Sequence, residues 1–255
     1  MSDVLILGYH AVSESWESAL SVTPANLERQ LASLVRQGYR GARFHEAVSA
    51  PSTGKTLVVT FDDAYRSVRE LALPILERLD LPGTVFVPTQ FAGGGRLASW
   101  PGVDIYLGGP DEHELAVMSW QELAGLTSMG WEVGSHTRSH PRLTQLEDAT
   151  LMEELRGSRE DCERGLGGPC HSVAYPYGDT DARVVAKAAD AGYVAGAGLP
   201  RAHRLHRRCA LNWPRIGVFY SDGRARFKLK VSPTGRRLRS LRSAPGVACA
   251  RTSTT

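Results

Sequence analysis

Short apolar and β-branched runs alternate along the chain with longer stretches whose apolar positions recur at helical spacing. Residues 4–9, 56–61, 84–87, 131–134, 172–175, 193–197 and 215–219 predict strands. The run 56–61 is almost wholly apolar or β-branched, the pattern of a strand buried on both faces. Thr23-Pro24 opens a helix, with Thr as N-cap and Pro at the first helical position, and Gly38 closes it. Residues 66–79 form a helical pattern that Pro74 must kink or split. Ser119 and Glu122 have capping-box spacing and start a helix closed by Gly130. A long helix is expected over 146–166, stopped by Gly167-Gly168, and another over 182–191. Residues 88–117 are Gly-rich and form a long loop, of the kind that serves as a lid or a binding loop.

Strands repeatedly followed by helices imply a mostly parallel sheet under a helical cover, either a barrel or a doubly wound sheet. Tyr9-His10-Ala11 follows the first strand, where a dinucleotide-binding fold would carry a glycine-rich phosphate fingerprint. The barrel is therefore the preferred α/β architecture. No linker interrupts the pattern before about Val231. The expected organisation is one domain over 1–230 and a basic, disordered C-terminal tail over 231–255.

At 255 residues, with 42% hydrophobic and 22% charged positions, the composition is that of a globular chain with room for one large α/β domain. No apolar run approaches the roughly 20 residues that span a bilayer. The N-terminus lacks a basic region ahead of its short apolar stretch, so a cytoplasmic location is expected. Cys162, Cys170, Cys209 and Cys249 are scattered and none forms a CxxC pair, which argues against a thiolate zinc site. The net charge of +3 is uneven: from Arg224 onward there are nine Lys or Arg and no Asp or Glu. Such a tail suits a solvated chain end, or peripheral contact with an anionic membrane; it specifies no nucleic acid.

Four polar clusters each fall immediately after a predicted strand: Tyr9-His10, Asp62-Asp63, His136 to His140, and Tyr175-Pro176-Tyr177-Gly178. In a parallel barrel the carboxyl ends of all strands meet on one face, so these clusters would converge. His136 and His140 can present two imidazoles to one metal, and Pro141 places them on a loop rather than a helix. Adjacent carboxylates at Asp62 and Asp63 repel, and a cation held by one of them would offset that. Side chains alternate along a strand, so the two aspartates are expected to do different jobs. The competing structural explanation is a cap and turn pair ahead of the next helix. Two His and one Asp leave open positions on a metal, as catalytic sites do. A metal there would acidify water and polarise a carbonyl, and a second carboxylate could take the proton. That is the equipment of an amide or ester hydrolase. An iron oxygenase uses similar ligands, but the helix-rich pattern disfavours it.

Thr60-Phe61-Asp62-Asp63 resembles the first motif of the NodB homology domain, also called carbohydrate esterase family four, the polysaccharide deacetylases. His136-Thr137-Arg138-Ser139-His140 resembles the second motif and Ala174-Tyr175-Pro176-Tyr177-Gly178 the third, the likeness running from about residue 4 to 219. The resemblance implies a distorted (β/α) barrel of about seven parallel strands. It implies Asp62 as catalytic base, and Asp63, His136 and His140 as ligands of a divalent metal, zinc first, with Co, Ni, Mn or Fe compatible. Tyr175, Pro176 and Tyr177 would line the substrate groove. The Tyr177 main-chain N–H would serve the oxyanion, a donor worth about 3–4 kcal/mol when preorganised.

Two positions depart from the family pattern. Ala174 stands where many relatives carry the Arg that holds the base, and Arg215 is the candidate replacement. The Leu-x-His motif, source of the general acid, is missing near the C-terminus. Leu7-Gly8-Tyr9-His10 instead resembles the start of the biofilm-polysaccharide deacetylases, whose motif order is circularly permuted. That makes His10 the expected acid. The implied reaction is hydrolysis of the acetamide of an N-acetylated amino sugar. The alternatives are a small-molecule amidase or deformylase on the same scaffold, and a non-catalytic sugar-binding protein. Trp100 and Trp120 suit sugar stacking and core packing equally, and are given no role.

Overall fold

The computed structural model describes residues 3–50, 54–199 and 209–236. The elements run β1 (Asp3–Tyr9), β2 (Ala11–Val12), β3 (Ser21–Val22), α1 (Pro24–Arg36), β4 (Arg40–Gly41), α2 (Phe44–Ser49), β5 (Lys55–Phe61) and α3 (Leu73–Arg78). There follow β6 (Gly83–Val87), α4 (Trp120–Ser128), β7 (Glu132–Ser135), α5 (Asp148–Met152), α6 (Ser158–Leu166) and β8 (Ser172–Ala174). The chain ends through α7 (Ala182–Asp190), β9 (Ala195–Gly198), β10 (Trp213–Pro214), β11 (Ile216–Gly217) and α8 (Arg224–Val231). Among the described residues no helix is long and apolar enough to cross a membrane.

The main sheet is parallel, in the order β10-β9-β8-β7-β6-β5-β1-β11, with β4 added beside β5. Its two edges are the same stretch of chain. Trp213 of β10 pairs with Ala197, and Ile216 of β11, three residues on, pairs with Leu7 of β1. The Arg215 N–H is held by the Gly198 carbonyl, and the Val218 N–H by that of Gly8. Residues 213–218 thus knit β9 to β1 and curl the sheet into a nearly closed barrel. Around it stand β1, β5, β6, β7, β8, β9 and this closing stretch, in line with the expected seven. The closing strand was expected as one run, 215–219; it is instead two short pieces, because each half serves a different neighbour.

Strand alternation sorts the core. Leu5, Leu7 and Tyr9 of β1 and Leu57, Val59 and Phe61 of β5 pack in the main cluster with the helices. Ile6, Val58, Phe86, Ala174, Ala195, Ala197 and Trp213 form a smaller cluster within the barrel, which Phe44 and Ala47 of α2 join. Every residue of β6 is buried, as a strand covered on both faces must be.

Local signals set several helix ends. The Thr23 side chain accepts from the Asn26 N–H, and Ser119 and Glu122 complete the capping box that starts α4. Gly167, at φ +69°, ends α6 in the left-handed conformation that glycine adopts at little cost. One helix shows the break expected of it at Pro74, and one differs from expectation. Ahead of Pro74 the chain makes a π-turn, Val68–Ala72, before α3 begins, since proline has no N–H to donate and its ring crowds the preceding turn. The expected single helix 146–166 is three pieces, α5, a π-turn at Glu153–Gly157, and α6. The pieces β2, β3 and β4 and the six-residue α2 are too short to leave a periodic signal.

The basic segment beginning at Arg224 contains α8, which buries Phe227, Lys230 and Val231. Buried Lys230 pairs with buried Asp222, whose main-chain carbonyl accepts from Gln30 of α1. Arg236 reaches Asp3, at 2.6 Å. Residues 237–255, most of the expected tail, lie outside the described residues.

Candidate active site

The register of β1 and β5 builds the site's floor. Tyr9 lies opposite Phe61, so the strands end level, and His10 and Asp62 leave the barrel side by side. The Asp62 N–H donates to the Tyr9 carbonyl, 2.9 Å away. On the other side Val87 pairs with Ser135, and the His136 N–H donates to the Val87 carbonyl.

Asp63 and Ala64 adopt positive φ, +68° and +52°. The expected separation of the two aspartates by strand alternation does not apply, because β5 has already ended at Phe61. The left-handed step brings both carboxylates to one site, where the Asp62 charge acts on Asp63. Thr137 and His140 also have positive φ, +66° and +62°. Such conformations in residues other than glycine cost energy and persist where surrounding contacts impose them.

Asp63, His136 and His140 are all buried, and one ligand atom from each lies within 4.8 Å of the others. The Asp63 Oδ1 is 3.5 Å from His136 Nε2 and 3.4 Å from His140 Nε2. Three ligands at 2.0–2.2 Å around a tetrahedral ion would stand about 3.4 Å apart, so the spacing fits. Asp63 Oδ1 has no hydrogen-bond partner, an expensive condition for a buried carboxylate oxygen unless a cation takes it. His136 donates through Nδ1 to the Ala174 carbonyl at 2.8 Å, which leaves the Nε2 lone pair turned toward Asp63. Burial lowers the pKa of both histidines, that of His140 further because His136 is beside it, and both are ready to ligate as neutral rings. Burial and the neighbouring Asp62 charge push the Asp63 pKa well up, the repulsion a bound cation relieves.

Asp62 is gripped by Arg215. Nη1 is 2.7 Å from Oδ1 and Nη2 is 2.8 Å from Oδ2, a bidentate contact between buried groups, and Nη1 also donates to Thr60 Oγ1. Burial works to raise the Asp62 pKa, but the Arg215 charge, then His136, outweigh it and hold the carboxyl well below its ordinary range. Ala174 belongs to the interior cluster, and Arg215 enters from the closing strand with its guanidinium 5.4 Å from the Phe86 ring. His10 stands where Asp62, Arg215 and His136 all act on it. Burial lowers its pKa to about 4, against the pull of Asp62, and its Nδ1 has no partner.

The third cluster divides. Tyr177, at φ +57°, sets its ring edge-on to His140, 4.7 Å between centroids, and donates from its hydroxyl to the Pro101 carbonyl. Tyr175 and Pro176 are buried, and the Tyr175 hydroxyl donates to the Leu211 carbonyl. The long loop is partly packed: Trp100 is 4% exposed and stacks on His140 at 4.4 Å. Trp100 thus packs on the ring of a candidate metal ligand. No sequence signal distinguished it from Trp120. Tyr65, whose hydroxyl the Asp63 carboxylate and burial hold well above its usual pKa, and Thr60 were also missed. Thr60 is part of the first motif and Tyr65 lies two residues beyond it, and only their neighbours in space give them a role.

The sequence profile described as polysaccharide deacetylase matches residues 49–196. A poly-beta-1,6-N-acetyl-D-glucosamine N-deacetylase of Staphylococcus aureus (strain N315) is 24% identical over 171 residues, 62% of this chain and 54% of that protein. A putative polysaccharide deacetylase, YxkH, of Bacillus subtilis (strain 168) is 24% identical over 197 residues, 75% of this chain and 62% of that one. The chain thus spans about half the length of the staphylococcal relative. Among solved structures, the Streptococcus pyogenes deacetylase PplD in complex with acetate superposes with a TM-score of 0.73 at 21% identity, over 90% of this chain and 98% of that one. IcaB from Ammonifex degensii gives 0.68 at 23% identity, over 95% and 97%. These structures share the fold. With the profile covering more than half of the sequence and its three motifs gathered on one face of the barrel, this chain belongs to the polysaccharide deacetylase family.

Proposed function

We propose that the protein is a metal-dependent hydrolase that removes acetyl groups from N-acetylated amino sugars in a polysaccharide or glycoconjugate. The observation that carries this is the Asp63–His136–His140 cluster beside an aspartate that Arg215 keeps ionised. The relatives' names, which include a poly-N-acetylglucosamine deacetylase, support the choice of substrate.

Asp63, His136 and His140 would hold the divalent metal, zinc by ligand chemistry, with Co, Ni, Mn and Fe compatible. When bound it lowers the pKa of water and polarises the acetamide carbonyl. Asp62 then receives the proton of the attacking water. It is ionised at neutral pH, and each oxygen keeps a lone pair beyond its contact with Arg215. The Tyr177 main-chain N–H serves the developing oxyanion. His10 is neutral at rest, and negative charge growing beside it raises its proton affinity. It takes up a proton from solvent and hands that proton to the departing amine, and Asp62 returns its own proton to solvent once acetate leaves. Trp100 and Tyr177, packed on His140, restrict water around the ligands.

The test is metal content by elemental analysis, with acetate release from N-acetylglucosamine oligomers, on wild type and His136→Ala. Near-stoichiometric metal and acetate release, both lost in the variant, are expected. Metal without acetate release would move the activity to another amide, and no metal at all would leave a sugar-binding protein.

A further inference from the structure

The loop that carries both metal-binding histidines is held from behind by one side chain. Glu154 is a carboxylate only 8% exposed, and it lies in the π-turn between α5 and α6. Its Oε2 accepts from the Arg138 N–H at 2.8 Å and from the Ser139 N–H at 3.0 Å. Its Oε1 accepts from the Ser139 hydroxyl at 2.6 Å. Three donors from the residues between His136 and His140 therefore converge on one buried acid.

The π-turn is what places Glu154 there. A π-turn inserts one extra residue into the helical repeat and turns side chains off the regular helix face, and such turns recur at functional sites. Its last residue, Gly157, leaves room for the loop: a Cβ there would stand 2.8 Å from Arg138 Cδ. The Arg138 guanidinium continues along the same helical segments, pairing with Glu153 and, through Nε at 3.1 Å, with Asp161. Asp161 in turn accepts from the Thr89 hydroxyl, and the Thr89 and Gln90 N–H groups donate to the Thr137 and Arg138 carbonyls. Within this loop Thr137 and His140 hold left-handed backbone conformations. A loop bearing two such residues keeps its shape only where outside contacts impose it, and Glu154 supplies three charge-assisted ones.

We infer that Glu154 is a positioning residue for the metal centre: its carboxylate fixes the 136–140 loop so that His136 and His140 face Asp63 at ligand spacing. This rests on the metal-site reading above. It adds a dependence on a residue that contacts neither metal nor substrate.

The experiment measures zinc affinity by competition with a chromophoric chelator, and the visible spectrum of the cobalt(II)-loaded protein. Wild type, Glu154→Gln, Ser139→Ala and Glu153→Gln are compared, with metal-free melting temperatures recorded for each. Glu154→Gln is expected to bind zinc about 10- to 100-fold more weakly, the usual effect of losing a residue that orients metal ligands, and to change the cobalt band intensity. Ser139→Ala, which deletes one of the three contacts, should lose less than tenfold and keeps the test open if Glu154→Gln fails to fold. Glu153→Gln should bind as wild type. A Glu154→Gln protein that melts earlier yet keeps wild-type affinity and spectrum would make Glu154 a purely structural residue and overturn the inference. If Glu154→Gln does not fold, wild-type affinity in Ser139→Ala has the same consequence. Wild type that binds neither zinc nor cobalt would instead remove the metal-site reading itself.

Discussion

Arg215 and Asp62, 153 residues apart in sequence, meet inside the barrel mouth in a two-point contact of 2.7 and 2.8 Å. The same arginine sits where the closing stretch passes from β9 to β1. Barrel closure and control of the candidate base are therefore one structural event. Paired charges this deeply buried exchange a large desolvation cost for attraction, so removing one partner leaves the other uncompensated.

Replacing Arg215 by Ala should lower kcat about 10- to 100-fold, part of the 10²- to 10⁴-fold that a positioned base contributes. The Asp62 pKa, held down by Arg215, should rise. The acid limb of the kcat/KM profile should then move to higher pH. An unchanged limb would mean that Arg215 does not set the ionisation of the base.

Zinc should raise the melting temperature of metal-free wild type and leave that of Asp63→Asn or His140→Ala unmoved. A ligand present at about 100 times its Kd stabilises the native state by about 2.7 kcal/mol. Differential scanning fluorimetry against zinc concentration checks this, and equal shifts in wild type and variants would place the binding elsewhere.

His10 gives a signed pH dependence in the metal-free protein. Its pKa falls from 6.5 to about 4 on folding, mainly through burial. Between those values the unfolded chain binds a proton that the folded chain refuses, so stability falls as pH is lowered from 6.5 toward 4. Buried His136 and His140 act in the same sense. Urea midpoints measured from pH 7 to 4.5 should therefore decline, and His10→Gln should make the decline shallower. The same variant should lose kcat on a poor amine leaving group more than on an activated ester.

The ion pair under α8 predicts a large stability change. Asp222 and Lys230 are both buried, and Asp222 also accepts from the Phe219 N–H. Lys230→Met leaves the buried Asp222 only the exposed Arg226, 3.1 Å away, as a cation and should cost roughly 1–3 kcal/mol in chemical denaturation. The Asp222→Asn/Lys230→Met double variant should recover part of that loss.

Much of this protein is legible along the chain because the signals are local. Buried parallel strands declare themselves as unbroken apolar runs. Helix ends follow from Thr23-Pro24, from Ser119 with Glu122, and from Gly167. The convergence of His10, Asp62, Asp63, His136 and His140 follows from strand ends in a parallel barrel, together with the motifs that resemble the family's. What only the tertiary structure decides depends on neighbours distant in sequence. Arg215 was a strand-edge cation until barrel closure set it on Asp62. Left-handed backbone, invisible in residue identity at Asp63, turned two alternating aspartates toward one site. Trp100 and Trp120 were equivalent as sequence, and packing alone set the first on His140. The π-turn at Glu153–Gly157 and α8 follow the same rule, since each meets partners brought near by the fold, Arg138 and Ser139 for the first and Asp222 for the second, whereas the π-turn ahead of Pro74 was legible in the sequence.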